Sequence, residues 1–258
     1  MSCITLLSDF GLQDASVAMA RGVLMQYTAL PVIDISHEVK PYYMPQAAYL
    51  LGTAYTSFEQ NTVHLALFDL FAGTSPRLVV CAHDGQYFMA PDNGLITMAL
   101  GINPEAWVVL EPERQHTFAD WLHAAGRTIA GLQNASPAEM GLAPTTLKKA
   151  KTLPAPVIDG STIACDVLHI DYYENVVLNL TRDMFMNTGM GRQFVLKFMM
   201  GEEINELSQN YQDVREGLKL CRFNSHGYLE ICINRGRAAS LFGLRLGSRH
   251  NDIKIVFE

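Results

Sequence analysis

Six short polar islands interrupt apolar runs in this 258-residue chain. The first follows Ile4 to Leu7: Ser8-Asp9-Phe10-Gly11, then Asp14-Ala15-Ser16 ahead of apolar residues at helical spacing. The others are Asp34-Ile35-Ser36-His37-Glu38, Asp69, Asp92-Asn93, Asp171 to Asn175 and Asn224 to His226. Asp, Asn and Ser also build turns and helix caps, so one island taken alone reads as punctuation. Several carboxylates that end strands of one sheet say more, because the carboxyl ends of such strands converge and hold ligands. Carboxylates accept hydrogen bonds from hydroxyls and attract cations. The pattern points to a small-molecule site for a ligand with hydroxyls or a positive charge.

Other chemistries find less support. Asp34, His37 and Glu38 are close in sequence, but strand alternation points Asp34 and Ser36 one way and Ile35 and His37 the other. That predicts no joint site, and no metal is expected. Gly189-Met190-Gly191 lacks the spacing and strand context of a dinucleotide fingerprint. The twelve methionines read as core filler. The five cysteines are odd in number, widely spaced and free of any CxxC pair, which predicts reduced, buried thiols and no zinc. A net charge of −7 and a pI near 5.6 argue against nucleic acid as a partner. There is no run of about 18 apolar residues to cross a membrane. The opening MSCITLLSDF shows no basic region or cleavage site, so a cytoplasmic protein is expected.

Elements that could position these islands follow from periodicity. At 49% hydrophobic and 17% charged, the chain can bury a large core. Its first half alternates strand and helix signals. Strands are predicted at Ile4 to Leu7, Val32 to Ser36, Thr62 to Phe68, Leu78 to Ala82, Tyr87 to Met89 and Trp107 to Leu110. Helices are predicted at about 15–27, 45–57, 95–100 and 120–132. Thr145 to Asp159 carries three lysines and two prolines with no periodic apolar face, and reads as a linker. Beyond it lie short strand signals at 167–170, 176–180, 194–199, 218–223, 228–233 and 253–257, with a short helix within 236–246. The expected architecture is an α/β domain with a mixed, mostly parallel sheet over residues 1–150. A smaller, all-β, barrel-like domain is expected over 151–258.

Six ordered motifs then carry a resemblance: SDFGLQDASVAMARGV, VIDISHEV, TVHLALFD, YFMAPDNGLIT, VLHIDYYENVVLN and NSHGYLEICIN. From Leu6 to about Gly247 the chain resembles the S-adenosylmethionine (SAM) hydrolases, or SAM hydroxide adenosyltransferases, relatives of the fluorinase and chlorinase. The resemblance implies an α/β domain followed by a β-barrel domain, and a homotrimer with SAM held between subunits. It implies displacement at the ribose C5′ by water, giving adenosine and methionine, with SAM as substrate and no separate cofactor. Asp9 matches the position that accepts the ribose hydroxyls. Asp14, Ser16 and Asp171 match those that hold the methionine ammonium. Ser225 matches a donor to the methionine carboxylate. His226 stands where halogenating relatives carry Arg, and would donate in a pH-dependent way. Asn175 matches the residue that recognises adenine.

The water-activating motifs depart from the family pattern. Asp69 survives from an Asp/Arg/His set, but DPGVG has become Asp69-Leu70-Phe71-Ala72-Gly73. The Arg position falls on Pro76, leaving Arg77 as a shifted partner. Thr117 stands where the His is expected, with His116 and His123 nearby. FGN has become Tyr173-Glu174-Asn175. The catalytic assignment is therefore Asp69 and Arg77. The alternative is a non-catalytic SAM- or adenosine-binding protein of the same fold. Halogenation is disfavoured, because the stretch from Phe68 to Asp92 is compact.

Overall fold

The computed structural model describes residues 1–70, 77–111, 116–150, 153–248 and 252–258. They form two compact units, Met1–Leu153 and Pro154–Glu258.

The first unit runs β1 (Ile4–Ser8), α1 (Ser16–Leu24), β2 (Val32–Ser36), α2 (Met44–Ala54), β3 (Val63–Leu67), β4 (Leu78–His83) and β5 (Gln86–Pro91). It continues through α3 (Leu95–Leu100), β6 (Ala106–Leu110), α4 (Phe118–Leu132) and β7 (Pro144–Thr145). These strands form one sheet in the order β2-β1-β3-β5-β4-β6-β7. Pairing is parallel from β2 through β1 and β3 to β5, and antiparallel from β5 to β7. Every residue of β1 and β3 is buried, as their apolar runs demand of strands covered on both faces. Alternation divides them. Ile4, Leu6 and Leu65 meet Leu24 of α1 and Trp121 and Ile129 of α4. Leu7 and Ala66 meet Ala47 and Leu51 of α2 and Leu95 of α3.

The helices have local causes. Val17, Ala20 and Leu24 give α1 a single buried face. Thr117 opens α4 with a capping box: its hydroxyl accepts the Asp120 N–H, and the Asp120 carboxylate accepts the Thr117 N–H at 2.8 Å. Gly126 of α4 admits the Tyr27 ring, since a Cβ there would lie 2.4 Å from Tyr27 Cδ2.

Residues 144–150 are not free linker. Pro144–Thr145 pairs with β6, Lys148 N–H donates to Asp92 Oδ1 at 2.7 Å, and Ala150 N–H donates to Thr97 Oγ1 at 3.1 Å. Backbone bonds and the buried Leu147 strap this stretch down, and one anchor leaves no periodic apolar face to read. The alternation argument for Asp34 and His37 also fails. The β1–β2 register shifts between Leu6 and Leu7, and His37 lies beyond the strand. Its Nε2 comes within 3.2 Å of Asp34 Oδ1, while Arg21 pairs with the same carboxylate.

The second unit comprises β8 (Val157–Asp159), β9 (Thr162–Cys165), β10 (Val167–Ile170), β11 (Val176–Thr181), α5 (Arg182–Gly189), β12 (Phe194–Phe198) and β13 (Glu202–Ile204). After these come β14 (Lys219–Phe223), β15 (Tyr228–Ile233), α6 (Ala238–Phe242) and β16 (Ile253–Phe257). Two antiparallel sheets, β10-β11-β15-β14 and β13-β12-β16-β9-β8, share a core that includes Leu178, Leu196, Ile231 and Ile255. Helix α5, unread in the sequence, buries only Phe185 and Gly189 and so lacks an apolar stripe. Phe185 packs edge-on against Phe194, Phe223 and Phe257. Among the described residues no helix is long and apolar enough to cross a membrane.

Three buried or half-buried histidines set an acid limit on stability. His64 sits between Thr5 Oγ1 at 2.8 Å and Gln86 Oε1 at 2.5 Å. Nε2 must donate to the Gln86 carbonyl oxygen, so Nδ1 accepts from the Thr5 hydroxyl. Burial holds the pKa of His64, His37 and His169 below the usual value. The unfolded chain takes up protons below pH about 6.5 while the folded chain resists, so stability falls as pH drops through that range. The melting temperature is expected to decline between about pH 7 and pH 5. His64→Gln should flatten part of that slope. A melting temperature constant over this interval would contradict neutral, buried imidazoles.

Candidate functional site

The parallel pairing of β1 and β3 sets Ser8 opposite Leu67, so Asp9 and Asp69 leave adjacent strands at the same sheet edge. The Asp69 N–H donates to Asp9 Oδ2 at 3.2 Å. Asp69 has φ 54°, in the left-handed region that Asp tolerates better than most side chains. Both carboxylates are half-buried, and burial raises both pKa values. At Asp9 the Asp69 amide opposes that rise, and the Asp69 charge adds to it. Two adjacent carboxylates of raised basicity can accept from ligand hydroxyls or take a proton from water.

Neighbouring loops hold this edge. Gly11 N–H donates to His37 O at 2.8 Å, and Ser8 Oγ lies 2.7 Å from His37 Nδ1. Asn93 Nδ2 donates to Phe68 O at 3.0 Å, while Asn93 Oδ1 accepts the Leu95 N–H at the start of α3. Phe10 packs edge-on against Phe118, with ring centroids 5.3 Å apart, which brings the start of α4 beside the Asp9 turn. Asp14 is exposed and accepts the Ser16 N–H at 2.8 Å, which lowers its pKa. Ser16 is half-buried as the first residue of α1.

The residues expected to support water activation have other attachments. Arg77 Nε and Nη2 each lie 2.9 Å from Asp92 Oδ2, and Nη2 also donates to Thr146 O. Asp92 is 2% exposed. Arg77 thus ties the buried Asp92 to the strap at residues 144–150. Thr117 caps α4. His116 Nε2 is 2.6 Å from Glu111 O, and His123 Nδ1 is 2.9 Å from Tyr27 Oη. Pro76, like Phe71, Ala72 and Gly73, lies outside the described residues.

The second unit contains a cavity of about 700 Å³ at one end of the sheet β10-β11-β15-β14. The loop between β10 and β11 closes on itself: Asp171 Oδ1 accepts the Asn175 N–H at 2.8 Å, and Oδ2 accepts Asn175 Nδ2 at 2.9 Å. Glu174 clamps that loop to α6. Its carboxylate accepts the Ser240 N–H at 2.9 Å and pairs with Arg237 at 3.1 Å. Asp171 and Asn175 form one side of the cavity, Tyr172, Tyr173 and Tyr211 supply aromatic surface, and Asn234 to Arg237 close it after β15. Cations, carboxamides and aromatic rings converge there.

Ser225 and His226 stand elsewhere. They are exposed at the tip of the β14–β15 hairpin. Val176 pairs with Ile231, whereas Thr181 pairs with Tyr228 at the hairpin end. Between those pairs β15 runs three residues and the irregular β11 five, which sets the hairpin end roughly 10 to 17 Å from Asn175 at about 3.4 Å per residue. Within this unit the structure gathers Asp171 and Asn175 with Asn234 to Arg237 and Tyr211, and not with Ser225 or His226. The overlooked residues left a trace: Asn234-Arg235-Gly236-Arg237 is a further polar island directly after an apolar strand. Among the described residues no cluster of three potential metal ligands exists.

Known proteins resemble this chain over most of its length. The SAM hydroxide adenosyltransferase N-terminal domain matches residues 4–137, and the C-terminal domain of the same family matches 165–251. A protein named (R)-S-adenosyl-L-methionine hydrolase from Thermus thermophilus is 31% identical, covering 96% of this chain and 98% of that protein. One of the same name from Salinispora tropica is 30% identical, covering 95% of each. A fluorinase from an Actinoplanes species is 21% identical over 95% of each. The fold also matches the crystal structure of an uncharacterized conserved protein from Thermotoga maritima, with TM-score 0.80 at 24% identity, covering 99% of this chain and 100% of that one. With both domain models matched in order along most of its length, the chain belongs to the SAM hydroxide adenosyltransferase family.

Proposed function

We propose that this protein hydrolyses SAM at the ribose C5′. Water attacks C5′, the C5′–S bond breaks, methionine leaves as a neutral thioether, and the C5′–O bond of adenosine forms. The water proton passes to a carboxylate. The leaving group is already activated as a sulfonium, so the enzyme's task is to place and desolvate the nucleophile in line. The observation that carries this reading is the Asp9–Asp69 pair at the ends of β1 and β3, with the Asp69 amide bound to Asp9. Asp9 accepts from the ribose hydroxyls, and Asp69 orients the water. Asp14, Ser16 and Asp171 serve the methionine ammonium, and Asn175 the adenine. Ser225 and His226, exposed at the β14–β15 hairpin and set apart from Asn175 along β11, serve the methionine carboxylate at the other end of the ligand. In a homotrimer with a barrel-like second domain, the Asp9 edge of one subunit would complete the cavity of another. SAM is then the substrate, no separate cofactor is required, and the reaction fits a cytoplasmic protein without nucleic-acid partners.

The test is incubation with SAM in ¹⁸O-labelled water. Adenosine carrying ¹⁸O at its 5′ hydroxyl, equal in amount to methionine, is expected. Absence of adenosine above blank would overturn hydrolysis. One observation favours a second reading, binding without turnover: Arg77 and Thr117, at or beside the family's Arg and His positions, are engaged in structural bonds. Thermal stabilisation by SAM without adenosine release would support it.

A further inference from the structure

Glu230 lies on β15, between Val177 of β11 and Arg222 of β14, and is 3% exposed. A buried carboxylate is costly unless bonded, and this one is bonded toward the cavity. Its Oε1 accepts from the Tyr211 hydroxyl at 3.0 Å and lies 3.4 Å from Arg222 Nη1. The Arg222 guanidinium also covers the Tyr211 ring, 4.6 Å from its centroid. Tyr211 is therefore held at its hydroxyl and on one ring face, and it forms part of the cavity wall. Burial raises the Glu230 pKa, and burial together with the Glu230 charge pushes the Tyr211 hydroxyl up to about 12, so that hydroxyl stays protonated and donates.

Resting on the reading that Asn175 of this cavity meets the adenine of SAM, we infer that Glu230 is a positioning residue. It acts through Tyr211 to present a fixed aromatic wall to a planar heteroaromatic ring. A ring held in place loses little freedom when the ligand arrives, so its stacking is not offset by ordering. Glu230 touches no reacting atom. Its loss should weaken binding and leave the chemical step alone.

Adenosine binding by calorimetry, with KM and kcat for SAM, tests this in the full-length protein. Tyr211→Phe keeps the ring and the buried carboxylate while removing the bonded hydroxyl, so it reports even where Glu230→Gln lowers the melting temperature. Each variant is expected to weaken adenosine binding by about 3- to 10-fold, the range of one ordinary hydrogen bond. KM should rise with kcat changed less than about 2-fold, because only uniform binding is lost. The double variant should be no weaker than the poorer single variant, the mark of two groups acting as a unit. Unchanged affinity in Tyr211→Phe, or effects that multiply in the double variant, would overturn the inference. Wild-type protein that makes adenosine from SAM but binds none in this titration would overturn it too, leaving hydrolysis standing. Wild type that neither binds adenosine nor makes it would remove the reading beneath.

Discussion

Replacing Asp69 with Asn is expected to lower adenosine release from SAM by about 10²- to 10⁴-fold, the range spanned by general-base groups. Asn matches Asp in size and tolerates the left-handed backbone that Asp69 adopts at φ 54°, so the loop should hold its shape. The Asp69 N–H, which bonds Asp9, is kept. SAM affinity should change less than about 3-fold, which separates loss of chemistry from loss of binding. The pH profile gives a second readout. Proton acceptance requires the ionised carboxylate, and burial raises the Asp69 pKa. The acid limb of kcat should therefore fall at a pH above the ordinary carboxylate value of about 4. In Asp69→Asn that limb should vanish from the residual rate. A variant that keeps full turnover would remove Asp69 from the mechanism.

Asp92→Ala is expected to destabilise the first unit strongly. Asp92 is buried and binds the Arg77 guanidinium and the Lys148 N–H at once. Its removal strands a cation and an amide, and breaks the tie between the end of β5 and the strap that follows β7. Breaking a buried pair costs about 3–5 kcal/mol, and the 28% exposure of the Arg77 side chain places this case at or below the low end of that range. For a domain of this size, that is a fall of on the order of 10 °C in melting temperature. Arg77→Ala should lower the melting temperature in the same direction. Should it leave the melting temperature untouched and abolish turnover, Arg77 would be a catalytic partner of Asp69 and not a strap.

Much of the architecture was legible because local signals and burial agreed. β1 and β3 are unbroken apolar runs, and the structure buries both completely. The strands at 167–170, 228–233 and 253–257 begin and end as their alternation and turn residues indicate. What escaped detection has little local signature. Helix α5 buries two residues, and the strap at 144–150 is held by backbone amides bonded to the Asp92 and Thr97 side chains and by the lone buried Leu147. Asp34 and His37 meet because β2 slips register beside β1, and a two-residue alternation cannot anticipate that shift.

The candidate site divides along the same line. By itself the sequence determined that carboxylates end apolar strands and that such turns suit a ligand with hydroxyls or a positive charge, since residue type and strand polarity are local properties. Only the tertiary structure decided which polar islands share a space. Antiparallel pairing of β11 with β15 carries Ser225 and His226 to one end of their sheet and Asn234 to Arg237 to the other, beside Asp171 and Asn175. Folding likewise assigned Arg77 to Asp92, because a buried carboxylate must be paired and the nearest guanidinium was its own neighbour across the loop.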